Sequence, residues 1–219
     1  MNFEAMLFDL DDTVYPATSG VWEAIGVRMD TYMTDTLGFA AGEVHELRKS
    51  LFAQYGTTLR GLKTVYGIDE VAFLDFVHDI PLDQYIRRDE GLIETLAAYD
   101  DRKLIFTNAN RAHAQRVLNL LDIDDQFERI IDILDISPYC KPFEEAFQMA
   151  IRLAGIGNPA DCVVIDDSAR NLETASRLGF MTIQVGCSTR SPFADACVPA
   201  LIDLPSVIPV PIKTERNVN

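Results

Sequence analysis

Carboxylate, amide, hydroxyl and lysine side chains gather at four places in this chain, each at or just after the end of an apolar run. Asp9, Asp11 and Asp12 follow the first run in AMLFDLDDTVYP. Thr107 and Asn108 close the second, in KLIFTNAN. Lys141 stands before a proline and a helical pattern in YCKPFEEAF, and Asp166, Asp167 and Asn171 sit at the end of CVVIDDSARN. Clustered negative charge costs free energy unless something positive lies within it. A metal ion, a lysine or a helix N-terminus would serve. An Asp-Asp pair or a Lys-Pro pair alone is commonplace. The shared placement of all four groups is the signal, because nothing structural asks for carboxylates at two adjoining strand ends.

Positioning them requires a sheet. The short runs Ala5–Asp9, Lys103–Thr107, Ile130–Leu134, Cys162–Asp166 and Met181–Val185 read as strands. The stretches 91–99, 112–121, 144–154 and 172–178 pair their apolar residues at three- and four-residue spacings, as helix faces do. Strands alternating with helices predict an α/β fold, a Rossmann-like parallel sheet covered on both faces. One interval breaks the alternation. Trp22–Leu37, Ala41–Tyr55, Leu59–Tyr66 and Glu70–His78 all read as helical, and Ile80–Ile86 reads as a return linker. The expected organisation is a core of residues 1–16 and 85–219 with an inserted helical-bundle cap at 17–84. Ligands of open α/β sheets bind at the carboxyl ends of the strands, where such a cap can exclude water.

Composition narrows the function classes. The 219 residues are 48% hydrophobic and carry a net charge of −15, which argues against nonspecific nucleic-acid binding. A small anion can still bind in a locally positive pocket. No run reaches the roughly 18 apolar residues of a membrane span, and the acidic N-terminus is unlike a signal peptide, so a cytoplasmic protein without an obligate partner is expected. The four cysteines form no CxxC pair and are expected as buried reduced thiols, with Cys140 of interest for preceding Lys141. Only the tail, 213–219, has the composition of a disordered end.

The four groups together resemble the haloacid dehalogenase superfamily, and within it the phosphatases with a helical cap after the first strand. Asp9-Leu10-Asp11-Asp12-Thr13 is similar to its first motif, Thr107 to its second, Lys141 to its third, and Asp166-Asp167 with Asn171 to its fourth. The resemblance implies a phosphomonoester hydrolase acting through an aspartyl-phosphate. Asp9 would be the nucleophile, and Asp11 would protonate the leaving oxygen and then deprotonate the attacking water. Mg²⁺ would be held by Asp9, the Asp11 carbonyl and Asp167. Thr107 and the amides near Asn108 would hold phosphoryl oxygens. Lys141 would neutralise nucleophile and phosphate, Asn171 would orient Lys141, and Asp166 would stand nearby.

A closer resemblance, in DLDDTVYP, YGTTLRGL, FTNAN and VIDDSARNLETA, is to the pyrimidine 5′-nucleotidase branch, which implies UMP- or CMP-type substrates. Thr57, Thr58 and Arg60 are then candidates to face the leaving group. The competing expectation is that Gly56 ends one helix and Thr57 or Thr58 caps the next. Other small phosphometabolites, such as a sugar phosphate or phosphoglycolate, are the alternative substrates. A haloacid dehalogenase is disfavoured by Asp11, and an inactive binding module by the complete set of catalytic residue types. Neither Lys49 nor Lys63 stands out as a Schiff-base lysine. Asp12 is expected as a cap, Asn108 and Asn110 also suit turns, and His45, His78 and His113 are expected to pack or face solvent without chemistry.

Overall fold

The computed structural model describes residues 3–210; the 213–219 tail lies outside them. Six strands form one sheet: β1 (Ala5–Phe8), β2 (Lys103–Phe106), β3 (Arg129–Ile131), β4 (Cys162–Asp166), β5 (Met181–Val185) and β6 (Ala196–Val198). The order is β3-β2-β1-β4-β5-β6 and every pairing is parallel. The chain therefore builds outward from β1 on one side, crosses back, and builds outward on the other. The order reverses at β1 and β4, whose carboxyl ends carry Asp9 and Asp166, and a ligand crevice opens at such a switch point.

Alternate side chains of each strand enter opposite faces. Met6, Phe8, Ile105, Val163 and Ile165 join one core. Helices α5 (Glu90–Ala97) and α6 (Arg111–Leu121) cover it with Leu92, Leu96, Val117, Leu118 and Leu121. Ala5, Leu7, Leu104, Phe106 and Val164 join the other. There α7 (Glu144–Ala154) packs Ala146, Phe147 and Ala150, and α8 (Ala169–Arg177) packs Leu172 and Ala175. Burial on both faces is why β1, β2 and β4 are continuous apolar runs rather than alternating ones.

Four helices precede α5 in the interval between β1 and β2: α1 (Val21–Thr31), α2 (Ala41–Tyr55), α3 (Thr58–Tyr66) and α4 (Glu70–His78). A π-helical turn, Tyr32–Thr36, prolongs α1. Thr57 caps α3 by accepting from the Arg60 amide, Asp69 caps α4 through the Ala72 amide, and Asn110 caps α6 through the His113 amide. Gly56 ends α2 at φ +82. The capping expectation for Thr57 thus describes its side chain.

Two strand expectations change. The third strand ends at Ile131 rather than Leu134, because the buried Asp132 carboxylate accepts from the Leu134, Asp135 and Arg111 amides and turns the chain. The sixth strand, ACV, has no counterpart among the five runs read as strands. Its neighbourhood also corrects the thiol expectation: Cys187 and Cys197 are joined as a disulfide, while Cys140 and Cys162 are free and buried.

Candidate active site

The carboxyl end of β1 delivers Asp9, whose amide still donates to the Ile165 carbonyl at 2.9 Å and so continues the β1–β4 ladder. Beside it lies Lys141, brought from the β3–α7 connection. Its backbone is fixed by Asn108: the Lys141 amide donates to Asn108 Oδ1 at 2.9 Å, and Asn108 Nδ2 donates to the Lys141 carbonyl at 3.0 Å. Asn108 therefore serves as more than a turn residue. Lys141 Nζ lies 2.8 Å from Asp9 Oδ1 and 2.8 Å from Asp166 Oδ2, and it is almost wholly buried. Burial works against its charge, but Asp166 and Asp9 outweigh that and hold the ammonium above its ordinary value.

Asp166 is the base of this arrangement. Asn171 Nδ2 donates to both of its oxygens, at 2.9 and 3.0 Å, and the Ser168 amide donates to Oδ1 at 2.9 Å. Asn171 thus acts on Lys141 through Asp166. Asp167, next along, is held by its amide on Thr13 Oγ1 at 3.1 Å. Thr107 continues β2 through its amide on the Ile131 carbonyl, and its hydroxyl accepts from the Ala109 amide at 3.0 Å.

Carboxylate oxygens of Asp9, Asp166 and Asp167 lie within 4.8 Å of one another. Burial, then Asp166, pushes Asp167 up to about 7, and burial raises Asp9 well above the carboxylate range although Lys141 opposes it. One lysine does not balance this much negative charge. An all-oxygen donor set short of positive charge fits a hard divalent cation. Asp166 is already committed to Lys141 and Asn171, so Asp9 and Asp167 are the carboxylates with capacity to spare.

Asp11 lies at the same crevice, in different company. The Tyr15 hydroxyl and His113 Nε2 both meet its Oδ1, the histidine at 2.8 Å. Burial opposes ionisation, but the charge and hydrogen bond of His113 with the Tyr15 bond prevail and lower Asp11 to about 2. The His78 ring stacks on His113 with centroids 4.2 Å apart. Burial, then His113, depresses His78 to about 3. His113 was expected to pack or face solvent; it is buried, and its ring is bonded to Asp11. A signal was available: NANRAHA places His113 on the first turn of the helix that follows the second strand's tip. Asp12 sits in a turn at φ 61, and burial followed by Asp11 raises it to about 6.

A cavity of about 430 Å³ opens over these residues. Asp9, Asp11, Thr107, Asn108, Lys141, Asp167 and Asn171 line its floor, and residues of α1–α4 close the other side. Arg60 does not line it. Its guanidinium turns away, donating to the Ile133 carbonyl at 2.6 Å and the Tyr139 carbonyl at 2.8 Å and pairing with Glu70. This corrects the expectation that Arg60 faces a leaving group. Thr57, Thr58 and Lys49 do line the cavity, Lys49 paired with Glu46.

The profile of the haloacid dehalogenase-like hydrolases matches residues 3–179. The chain belongs to that family. Phosphate metabolism protein 8 of Saccharomyces cerevisiae is 29% identical over an alignment of 190 residues that covers 80% of this chain and 59% of that protein. The chain thus spans 59% of the length of that relative. Among solved structures, the HAD-hydrolase YfnB of Bacillus subtilis, bound to magnesium, superposes with a TM-score of 0.65 at 15% identity, over 96% of this chain and 100% of that one. A HAD phosphatase from Thermococcus onnurineus gives 0.65 at 18% identity, over 96% and 99%. At these identities the shared property is the fold. No helix among the described residues is long and apolar enough to cross a membrane.

Proposed function

We propose that this haloacid dehalogenase-like hydrolase is a Mg²⁺-dependent phosphomonoesterase acting through an aspartyl-phosphate on Asp9, with pyrimidine nucleoside 5′-monophosphates as substrates. The observation that carries the reading is Lys141, held between Asp9 and Asp166 at 2.8 Å from each. It keeps one oxygen of the partly buried Asp9 carboxylate in a fixed place and supplies the positive charge an incoming phosphoryl group needs. Asp9 attacks phosphorus, while the Thr107 hydroxyl and the amides beside Asn108 take the phosphoryl oxygens. Asp9, the Asp11 carbonyl and Asp167 would hold Mg²⁺, which when bound offsets charge on the phosphoryl group. Asp11 carries the leaving-group proton and later accepts one from the attacking water. In the free protein it is ionised, poised for the second task. A phosphoryl dianion beside it raises its proton affinity for the first.

Residues 17–84 act in this reading as a cap whose inner wall meets the leaving group. Trp22 and Phe52 face the cavity and remain 44% and 42% exposed, and the Arg170 guanidinium lies 5.1 Å over the Phe52 ring. Half-exposed rings and a planar cation suit stacking of a flat base better than an open-chain or pyranose group.

The test is phosphate release with Mg²⁺ from UMP, CMP, dUMP, AMP, GMP, phosphoglycolate and hexose phosphates, with Asp9→Asn as control. Preference for pyrimidine monophosphates, lost in the variant, is expected. A sugar-phosphate preference would retain the mechanism and overturn the nucleotide assignment. Metal-independent halide release from a haloacid would overturn both.

A further inference from the structure

Two hydrogen-bond donors converge on one oxygen of Asp11. The Tyr15 hydroxyl and His113 Nε2 both reach Oδ1. An oxygen bonded twice in this way cannot rotate into the crevice, so Oδ2 is the oxygen left for a substrate. His113 is itself immobilised. Its amide donates to Asn110 Oδ1 at 3.0 Å, and the His78 ring lies nearly parallel to its own at 17°. His78 is fixed in turn, because Arg116 donates to the carbonyls of His78 and Ile80 at 2.9 and 2.6 Å. Packing alone does not explain the imidazole. His113 is fully buried and its Nδ1 has no partner, a cost that an apolar side chain of similar size would avoid. The Nε2 bond to Asp11 is what the ring gains in return.

We propose that His113 is a positioning residue: with Tyr15 it pins Oδ1 of Asp11, so that Oδ2 alone exchanges protons with the leaving group and the attacking water. The inference rests on the phosphomonoesterase reading. In the first half, the Oδ2 proton passes to the bridging ester oxygen as its bond to phosphorus breaks and the Asp9–phosphorus bond forms. In the second, Oδ2 takes a proton from the water that cleaves the aspartyl-phosphate, and the carboxyl is restored. A carboxyl free to rotate would present the wrong oxygen for part of the time, and alcohols that depart only when protonated would suffer most.

The experiment compares two esters on the Mg²⁺-loaded protein: an alkyl phosphate such as UMP, whose alkoxide needs a proton, and p-nitrophenyl phosphate, whose phenolate leaves without one. His113→Phe keeps the stacked ring and removes the donor. Its kcat/KM on UMP, which reports the half-reaction that expels the alcohol, is expected to fall about 100-fold, within the range of a general acid's contribution. On p-nitrophenyl phosphate the fall in kcat/KM is expected to stay below about 5-fold, because little acid catalysis is needed to expel the phenolate. His113→Gln, which returns an N–H donor, should recover about 10-fold of the UMP loss. The double variant with Asp11→Asn should be no slower than Asp11→Asn alone, since the histidine acts only through that carboxylate. Equal losses on the two esters, or no loss, would overturn the proposal while leaving the phosphatase reading intact. A parent protein inactive on both esters would overturn that reading and this one with it. Should His113→Phe fail to fold, Tyr15→Phe removes the other donor to the same oxygen, and equal losses on the two esters there refute the pinning.

Discussion

Arg60 is the residue whose replacement best separates architecture from recognition. It comes from α3, yet its guanidinium serves the loop that carries Lys141. It donates to the carbonyls of Ile133 and Tyr139, lies 3.3 Å from Ser137 Oγ and pairs with Glu70 at the start of α4. Its side chain is 6% exposed and that of Glu70 17%. Arg60→Ala would leave two carbonyls without these donors and one carboxylate without its cation. Removing one partner of a buried ion pair costs about 3–5 kcal/mol, a large share of the roughly 5–15 kcal/mol that stabilises a typical protein. For a chain of this size that corresponds to a melting temperature lower by roughly 10 °C. Urea unfolding of the parent, Arg60→Ala, and Arg60→Met with and without Glu70→Gln measures it. Neutralising Glu70 in the Met background should return more than about 1 kcal/mol, because it removes the stranded charge. The ratio of kcat/KM between UMP and a hexose phosphate should not move. A loss below about 1 kcal/mol, or a changed ratio at an unchanged melting temperature, would refute the architectural role.

Three further outcomes follow from the site. Asp167 and Asp12 have folded values raised to about 7 and about 6, so the metal-free protein binds extra protons and should lose stability as pH rises from about 4 to 7. Mg²⁺ should therefore raise the melting temperature more at pH 7.5 than at pH 5, and Asp167→Asn should flatten that difference. Asp11 has the opposite sign: its value of about 2 means stability present above pH 4 and lost on acidification towards pH 2. The amount is about 2 kcal/mol, measurable by urea unfolding across that range. Gly56→Ala would place a Cβ 2.8 Å from both Cys140 Sγ and Phe143 Cε2, at a φ of +82. It should cost about 1–3 kcal/mol and lower kcat by displacing Lys141, read by unfolding and turnover of the same preparation.

Local patterns carried much of this far. β4 lies where its apolar run does, because a central strand of a parallel sheet is buried along its length, and β5 coincides with MTIQV, whose Thr182, Ile183 and Val185 are buried. The helices α1–α4 lie in the stretches that read as helical, and the cap expected of Thr57 or Thr58 is supplied by Thr57. Residue type and position also singled out Asp9, Thr107 and Asp167 at or just past strand tips and Lys141 ahead of a helix, and the fold brings all four to one cavity. Strand β6 escaped notice, being three residues long and only partly buried.

The tertiary structure decided which atoms meet. His113 is 102 residues from Asp11, and Arg60 is 73 from Ile133. Neither pair was joined by a periodicity or a motif in the sequence. The adjacent Asp166 and Asp167 are the same letter twice; the family resemblance gave them different roles, and the fold supplies the contacts, with Lys141 and Asn171 both on Asp166. What a side chain can do is written in its own chemistry. What it does depends on the neighbours that folding brings within three ångströms, and those are chosen by the packing of the whole chain.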